Sequence, residues 1–203
     1  MRVRYVIPVG SRVWLRIYWP STSGCRDIHN ARTLLGDDLV IHSEKWGRPE
    51  DHAPEAWPTA CEDCGAPVPA AGDLHRQVFR KTLYGTPNGS WQGIPGPGEM
   101  YFADWYGCEE RGGSCIHGWT NCDGKHLIVH LPGDEHHWWD VDGRASNCTM
   151  PGDTLHRCWV RHGDPATGVV HVDKNGLTCA AGAGSIASRA YHGFLHNGAL
   201  TSC

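Results

Sequence analysis

Cysteine placement constrains this chain more than any other feature. Between Cys115 and Cys158, two thiol pairs flank strand-like, Trp-rich segments: Cys115 with Cys122, and Cys148 with Cys158. Thiol pair, strands, thiol pair is the layout of a zinc ribbon, because each pair sits on a turn and the strands bring the turns together. Further upstream, Cys61-Glu-Asp-Cys64-Gly65 has the form of a zinc knuckle, with two thiolates on one tight turn and a glycine to close it. Half a site needs further ligands, and His75, Cys25 and Cys108 are the candidates. A redox role for Cys61 and Cys64 lacks the βαβ surroundings of thioredoxin-like folds.

The choice between metal and disulfide depends on the compartment. The first residues, M-R-V-R-Y-V-I-P, carry charge and no apolar stretch of secretory length, and no window reaches the roughly 18 apolar residues of a membrane span. We therefore expect a reducing cytoplasm, where ten cysteines favour metal ligation over disulfides. The 203 residues fit one domain or two small ones. Mean hydropathy is −0.43, as for a globular chain. Gly 26 and Pro 13 make up almost a fifth of it, which favours short strands and turns over long helices. A net charge of −4 and a pI near 6.4 give no general attraction to nucleic acid.

Residues 13–19 alternate, with Val13, Leu15, Ile17 and Trp19 on one side, and predict a half-buried strand. Residues 39–41 suggest a weaker strand, and 44–58 a loop with Trp46 and Trp57 as anchors. Val78, Phe79 and Leu83 suggest one face of a short helix over 75–84. Residues 85–98, with five Gly and three Pro, read as a linker dividing an N-terminal module (1–97) from a zinc-ribbon-like core (98–203). Residues 126–131 and 137–141 suit a hairpin around 132–135, which would return Cys148 toward Cys122. Residues 169–179 suit a second hairpin with its turn at 173–176.

Several strings carry a resemblance: N-C-D-G at 121–124, D-G-R-A-S-N-C-T-M-P at 142–151, H-R-C-W-V-R-H-G at 156–163 and V-D-K-N-G-L-T-C-A-A-G-A-G-S-I at 172–186. They resemble a Cys/Trp-rich protein family of tailed bacteriophages and soil viruses, densely over 98–198 and loosely before it. The resemblance implies a viral origin, with the protein free in the host or associated with the virion, and brings no activity with it. His136-His137-Trp138-Trp139 and Cys108 depart from the family pattern, which weakens Cys108 as a ligand.

The expected fold is mainly β with long ordered loops, at most one or two short helices and one or two structural Zn²⁺ ions. Cys61 and Cys64 would hold one ion. Cys115, Cys122, Cys148 and Cys158 would hold the other, with His156 able to replace Cys158; disulfides and buried thiols are the alternatives. A catalytic reading places His136 and His137 with Asp140, Asp142 and Cys148 or Cys179 as a Cys–His pair, but no motif fixes that geometry. The expected function is noncatalytic: a binding or structural accessory protein with a protein partner. A Cys/His or zinc hydrolase is the alternative, and nucleic-acid binding comes third, since zinc ribbons and exposed Trp serve it but the acidic pI does not.

Overall fold

Alternation along a strand decides most of this architecture. In a computed structural model, described for residues 1–22, 24–25, 27–41, 43–103, 125–133, 138–141, 148–150, 153, 158–173 and 185–203, the chain is mainly β. In chain order the strands are β1 (Arg4–Tyr5), β2 (Ile7–Pro20), β3 (Ile28–Asp38), β4 (His75–Gly85), β5 (Gln92–Gly93), β6 (Glu99–Phe102) and β7 (Leu127–His130). They continue as β8 (Trp138–Asp140), β9 (Val160–His162), β10 (His171–Asp173), β11 (Ile186–Ala187), β12 (His192–His196) and β13 (Ala199–Ser202). The described helical segments are single 3₁₀ turns, at Glu44–Trp46, Pro49–Asp51, Pro54–Ala56 and Pro165–Thr167.

The chain forms two compact units. One comprises Pro8–Tyr84 and Gln92–Ile94; the other comprises Met1–Ile7, Gly85–Trp91 and Pro95–Cys203. The expected linker, 85–98, is thus shared between the units, and the first seven residues belong with the C-terminal part.

In the N-terminal unit the sheet order is β3-β2-β4-β5. β2 and β3 pair antiparallel from Ser11↔Asp38 to Pro20↔Ile28, with an irregularity between Val13 and Trp14. Val13, Leu15, Ile17 and Trp19 are buried, as their alternation requires. The opposite face carries Arg12, Trp14, Arg16 and Tyr18, all half-buried. Two expectations are corrected here. Residues 39–41 form no strand; Leu39 and Val40 are exposed at a bend. Residues 75–84 are not a helix but β4. Val78, Phe79, Thr82 and Tyr84 have high strand propensity, and β2 provides a long partner edge, so tertiary pairing prevails over a weak helical spacing. Phe79 sits 5.6 Å from Trp14 and His75 stacks on Tyr18 at 4.8 Å, ring contacts made across the sheet.

In the C-terminal unit the largest sheet runs β1-β6-β7-β8. The hairpin expected around 132–135 is present: Ile128↔Asp140, Val129↔Trp139 and His130↔Trp138 pair antiparallel. The strand expected from 169 is present as β10, but it pairs with β9, from His171↔His162 to Asp173↔Val160; the turn expected at 173–176 lies largely outside the described residues. β11, β12 and β13 form a three-stranded antiparallel sheet. Met100, Leu127, Val129, Leu131, Val141, Val170, Leu195 and Leu200 share one core cluster, with Trp139 and Trp159 packed against it.

Leu127 is fully buried in that cluster. Leu127→Ala is expected to destabilise this unit by about 2–5 kcal/mol, the cost of a core cavity, measurable by denaturant unfolding; a loss under about 0.5 kcal/mol would place the core elsewhere.

Candidate metal centre

The knuckle is built by local hydrogen bonding. Gly65 N–H donates to Cys61 O at 2.9 Å and Cys61 N–H to Ala66 O at 2.7 Å, while Ala60 and Pro67 bridge below the turn. Gly65 has φ +73°, a left-handed conformation that explains the glycine after the second cysteine. Glu62 N–H donates to Asn30 O at 2.9 Å, which ties the turn to β3. Two further donors come from the β2–β3 connection. Ser21 Oγ donates to Cys25 O at 2.8 Å and Ser21 N–H to Asp27 O at 3.0 Å, closing a loop that holds Cys25. His29, the second residue of β3, stacks on Trp19, its register partner, with ring centroids 5.1 Å apart.

These elements bring Cys25, His29, Cys61 and Cys64 together, with all four ligand atoms within 4.8 Å of one another. Cys25 Sγ lies 3.7 Å from Cys61 Sγ, and Cys64 Sγ lies 3.4 Å from His29 Nδ1. A disulfide would need sulfurs at about 2.05 Å. A tetrahedral ion with metal–sulfur bonds of about 2.3 Å has edges of about 3.8 Å, so the observed separations fit a shared ion. The four side chains therefore form a set able to hold a metal ion. His29 and Cys61 are buried, Cys25 is half-buried and Cys64 is exposed. Cys61 also belongs to the small core cluster with Ile17, Trp19 and Ala31.

The electrostatics suit a cation. Burial pushes the Cys61 thiol up, but N–H groups from Asn30, Cys64 and Asp63, with His29, outweigh it and bring it down from 9.0 to about 6. Cys25 moves the other way. Its hydrogen bond with Cys64, then burial and the proximity of Cys61, push it up to about 12. Without a metal, the Cys61 thiolate forms readily while Cys25 keeps its proton, since adjacent thiolates repel. A divalent ion removes that repulsion.

Of the ligands expected to complete the knuckle, Cys25 lies in the set. His75 is not: it lies on β4, pairs with Asp73 at 3.1 Å and stacks on Tyr18. Cys108 lies outside the described residues, as do Cys115, Cys122, Cys179, His136, His137 and His156. Cys148 is half-buried and Cys158 buried. His29 was missed, although C-x₃-H over 25–29 preceding C-x-x-C is a readable ligand spacing. In the C-terminal unit His126 Nε2 lies 2.8 Å from Asp140 Oδ1, with the imidazole buried. No protein family, curated protein or solved structure matches this chain.

Replacing Cys25, Cys61 or Cys64 by Ser, or His29 by Ala, is expected to lower the metal-to-protein ratio by one, whereas His75→Ala leaves it unchanged. Mass spectrometry under native conditions reads the difference. A pH dependence follows for the metal-free protein. Cys61 has a folded pKa of about 6, below its unfolded 9.0, so its contribution to stability is present above 9.0 and lost as pH falls toward 6. Cys25 has a folded pKa of about 12, above its unfolded 9.0, so its contribution is fully present below 9.0 and is lost as pH rises toward 12, a slope of opposite sign that begins only near the top of the window. Metal-free protein should melt lower at pH 6 than at pH 9; Cys61→Ser should flatten the trend.

Proposed function

We propose that this chain is a noncatalytic binding protein whose N-terminal unit is stapled by a structural zinc ion. The observation that carries the reading is the closed ligand set, with three thiols and one imidazole at tetrahedral separations. Thiolate-rich tetrahedral sites select zinc among common cellular ions. Four protein ligands leave no coordination position for substrate, which is the mark of a structural site.

The other face of the β2–β3–β4 sheet supplies a contact surface. Trp14, Tyr18 and Phe79 are half-buried there, with Arg16 lying 4.9 Å from the Tyr18 ring and 5.0 Å from Phe79, and Arg32 5.6 Å from Trp14. Trp, Tyr and Arg are the residues enriched at protein-interface hot spots. Arg12 is paired with Asp37 and Arg32 with Glu62, so two of the three arginines on this face are neutralised and only Arg16, held by Asn30, is not. One uncompensated arginine there, with the acidic pI, favours a protein partner over nucleic acid. With the resemblance of 98–198 to phage and soil-virus sequences, we place the protein as a viral accessory in a bacterial host. The His126–Asp140 pair favours a second reading, a hydrolase, because a carboxylate orienting a buried imidazole is the base half of a nucleophile pair.

Cobalt substitution separates the readings. The Co²⁺ form should show thiolate charge-transfer and tetrahedral d–d bands that added cyanide or hydroxamate leaves unchanged. A spectrum that shifts with either ligand would mean an open position and would support the hydrolase. Anisotropy with a single-stranded oligonucleotide should show no binding at low salt; salt-dependent binding there would overturn the protein-partner assignment.

A further inference from the structure

Three histidines of the C-terminal unit stand side by side, far in sequence from the cysteine set. His162 on β9 and His171 on β10 are direct register partners in an antiparallel pair, so their side chains leave the same face. Their rings stack with centroids 6.1 Å apart and planes at 27°. His196, the last residue of β12, meets His171 edge-on with centroids 4.4 Å apart. His171 is thus the shared member, flanked on both sides by imidazole.

The backbone holds this arrangement in place. After His196 the chain turns through Asn197, at φ +45°, and Gly198, at φ +70°. Gly198 N–H donates to Val170 O at 2.8 Å, and a Cβ at 198 would fall 1.8 Å from Gly168 O. Only glycine permits that approach, and it seats the β12–β13 turn beside the start of β10. The side chain of Asn197 lies 3.0 Å from His196 Nε2 and orients that ring.

Packing alone accounts poorly for three clustered imidazoles. His162 and His196 are exposed and His171 is half-buried, so little apolar surface is removed from water. Imidazole nitrogens are, in contrast, the preferred donors for zinc, copper and nickel, and a cross-strand pair with a third ring from a neighbouring strand offers three on one face. We propose that His162, His171 and His196 form a second, solvent-facing metal site for a borderline divalent transition-metal ion. The three rings do not converge as closely as the cysteine set, so His162 and His196, both exposed, would turn their nitrogens onto an ion that His171 anchors, His196 exchanging its contact with Asn197 for the ion. Three protein ligands leave a position open to water or an exogenous donor, unlike the cysteine set. An amide beside the His196 ring is the kind of contact that fixes a ligand's tautomer.

The test uses the full-length chain with its cysteine site already filled by one zinc equivalent, which shields Cys25, Cys61 and Cys64, and with the remaining accessible thiols, Cys203 among them, alkylated so that they neither bind nor reduce Cu²⁺. Cu²⁺ is then titrated in, followed by calorimetry and electron paramagnetic resonance. One equivalent should bind, with superhyperfine splitting from nitrogen ligands. His171→Ala should weaken it by at least about tenfold, the smaller end of what even a ligand's hydrogen-bond partner costs. His196→Gln changes an exposed side chain and guards against misfolding; it should weaken Cu²⁺ binding with an unchanged melting temperature. Cys61→Ser should leave the Cu²⁺ equivalent in place. Absence of Cu²⁺ binding, binding unaffected by both histidine variants, or binding abolished instead by His136→Ala/His137→Ala would overturn the proposal.

Discussion

Four donor atoms of the N-terminal unit lie within 4.8 Å of one another, where a single ion would tie its segments together. One of its clusters gathers Ile17, Trp19, Ala31 and Cys61, edged by Cys25, Trp57, Ala66, Val68 and Leu74, while Val13, Leu15, Leu83 and Tyr84 are buried elsewhere in the unit. Between β3 and β4, residues 39–74 contribute three short 3₁₀ turns and an isolated bridge rather than strands. Such a segment buries little and cannot offset its conformational entropy by packing. An ion on Cys25, His29, Cys61 and Cys64 joins the far end of the β2–β3 hairpin to that segment. Its binding energy then becomes folding energy, because the unfolded chain has no preformed site. Buried thiols in this position would otherwise face one another across 3.7 Å with nothing to offset their repulsion once ionised.

The C-terminal unit solves the same problem differently. Its sheets contribute a continuous apolar cluster from Val3 to Leu200, and the chain's first residues are stitched into it. The Met1 ammonium donates to Leu200 O at 2.7 Å, Val3 N–H to Gly198 O at 3.0 Å and Val6 N–H to Met100 O at 2.9 Å. Arg4 closes on Glu99, which also accepts from Gly96 N–H at 2.6 Å.

What could be read from the sequence follows from how local each signal is. The alternation of Val13, Leu15, Ile17 and Trp19 is a period-two signal reinforced by burial on one side, and β2 carries it through fourteen residues. Pro132-Gly133 between two apolar runs marked the β7–β8 hairpin equally well. β4 was misread because Val78, Phe79 and Leu83 satisfy a loose helical spacing as well as a strand; only its neighbour β2 decides between them. In the metal centre, Cys61 and Cys64 announce themselves through a turn three residues long. Cys25 and His29 lie more than thirty residues away, and their convergence depends on the β2–β3 register, which places His29 opposite Trp19. The sequence carries that pairing only as a spacing, C-x₃-H, which is weak until the hairpin is known.

The metal centre and the arginine–aromatic face are joined through one side chain. Glu62 follows Cys61 directly, so the knuckle that a metal would fix also fixes Glu62. Its carboxylate accepts from Arg32 Nε at 2.9 Å and from the Asn30 amide. Asn30 in turn accepts from Arg16, and Arg16 and Arg32 lie over Tyr18, Phe79 and Trp14. A guanidinium held by a carboxylate keeps its plane against a ring at less entropic cost than a free one. Opening the knuckle would withdraw Glu62 and leave Arg32 and Asn30 without the group that aligns them. The outward face would then lose its order while β2 and β3 remained paired. A metal ion on the cysteine–histidine set would in this way bear on the order of the opposite face of the sheet through Glu62 alone.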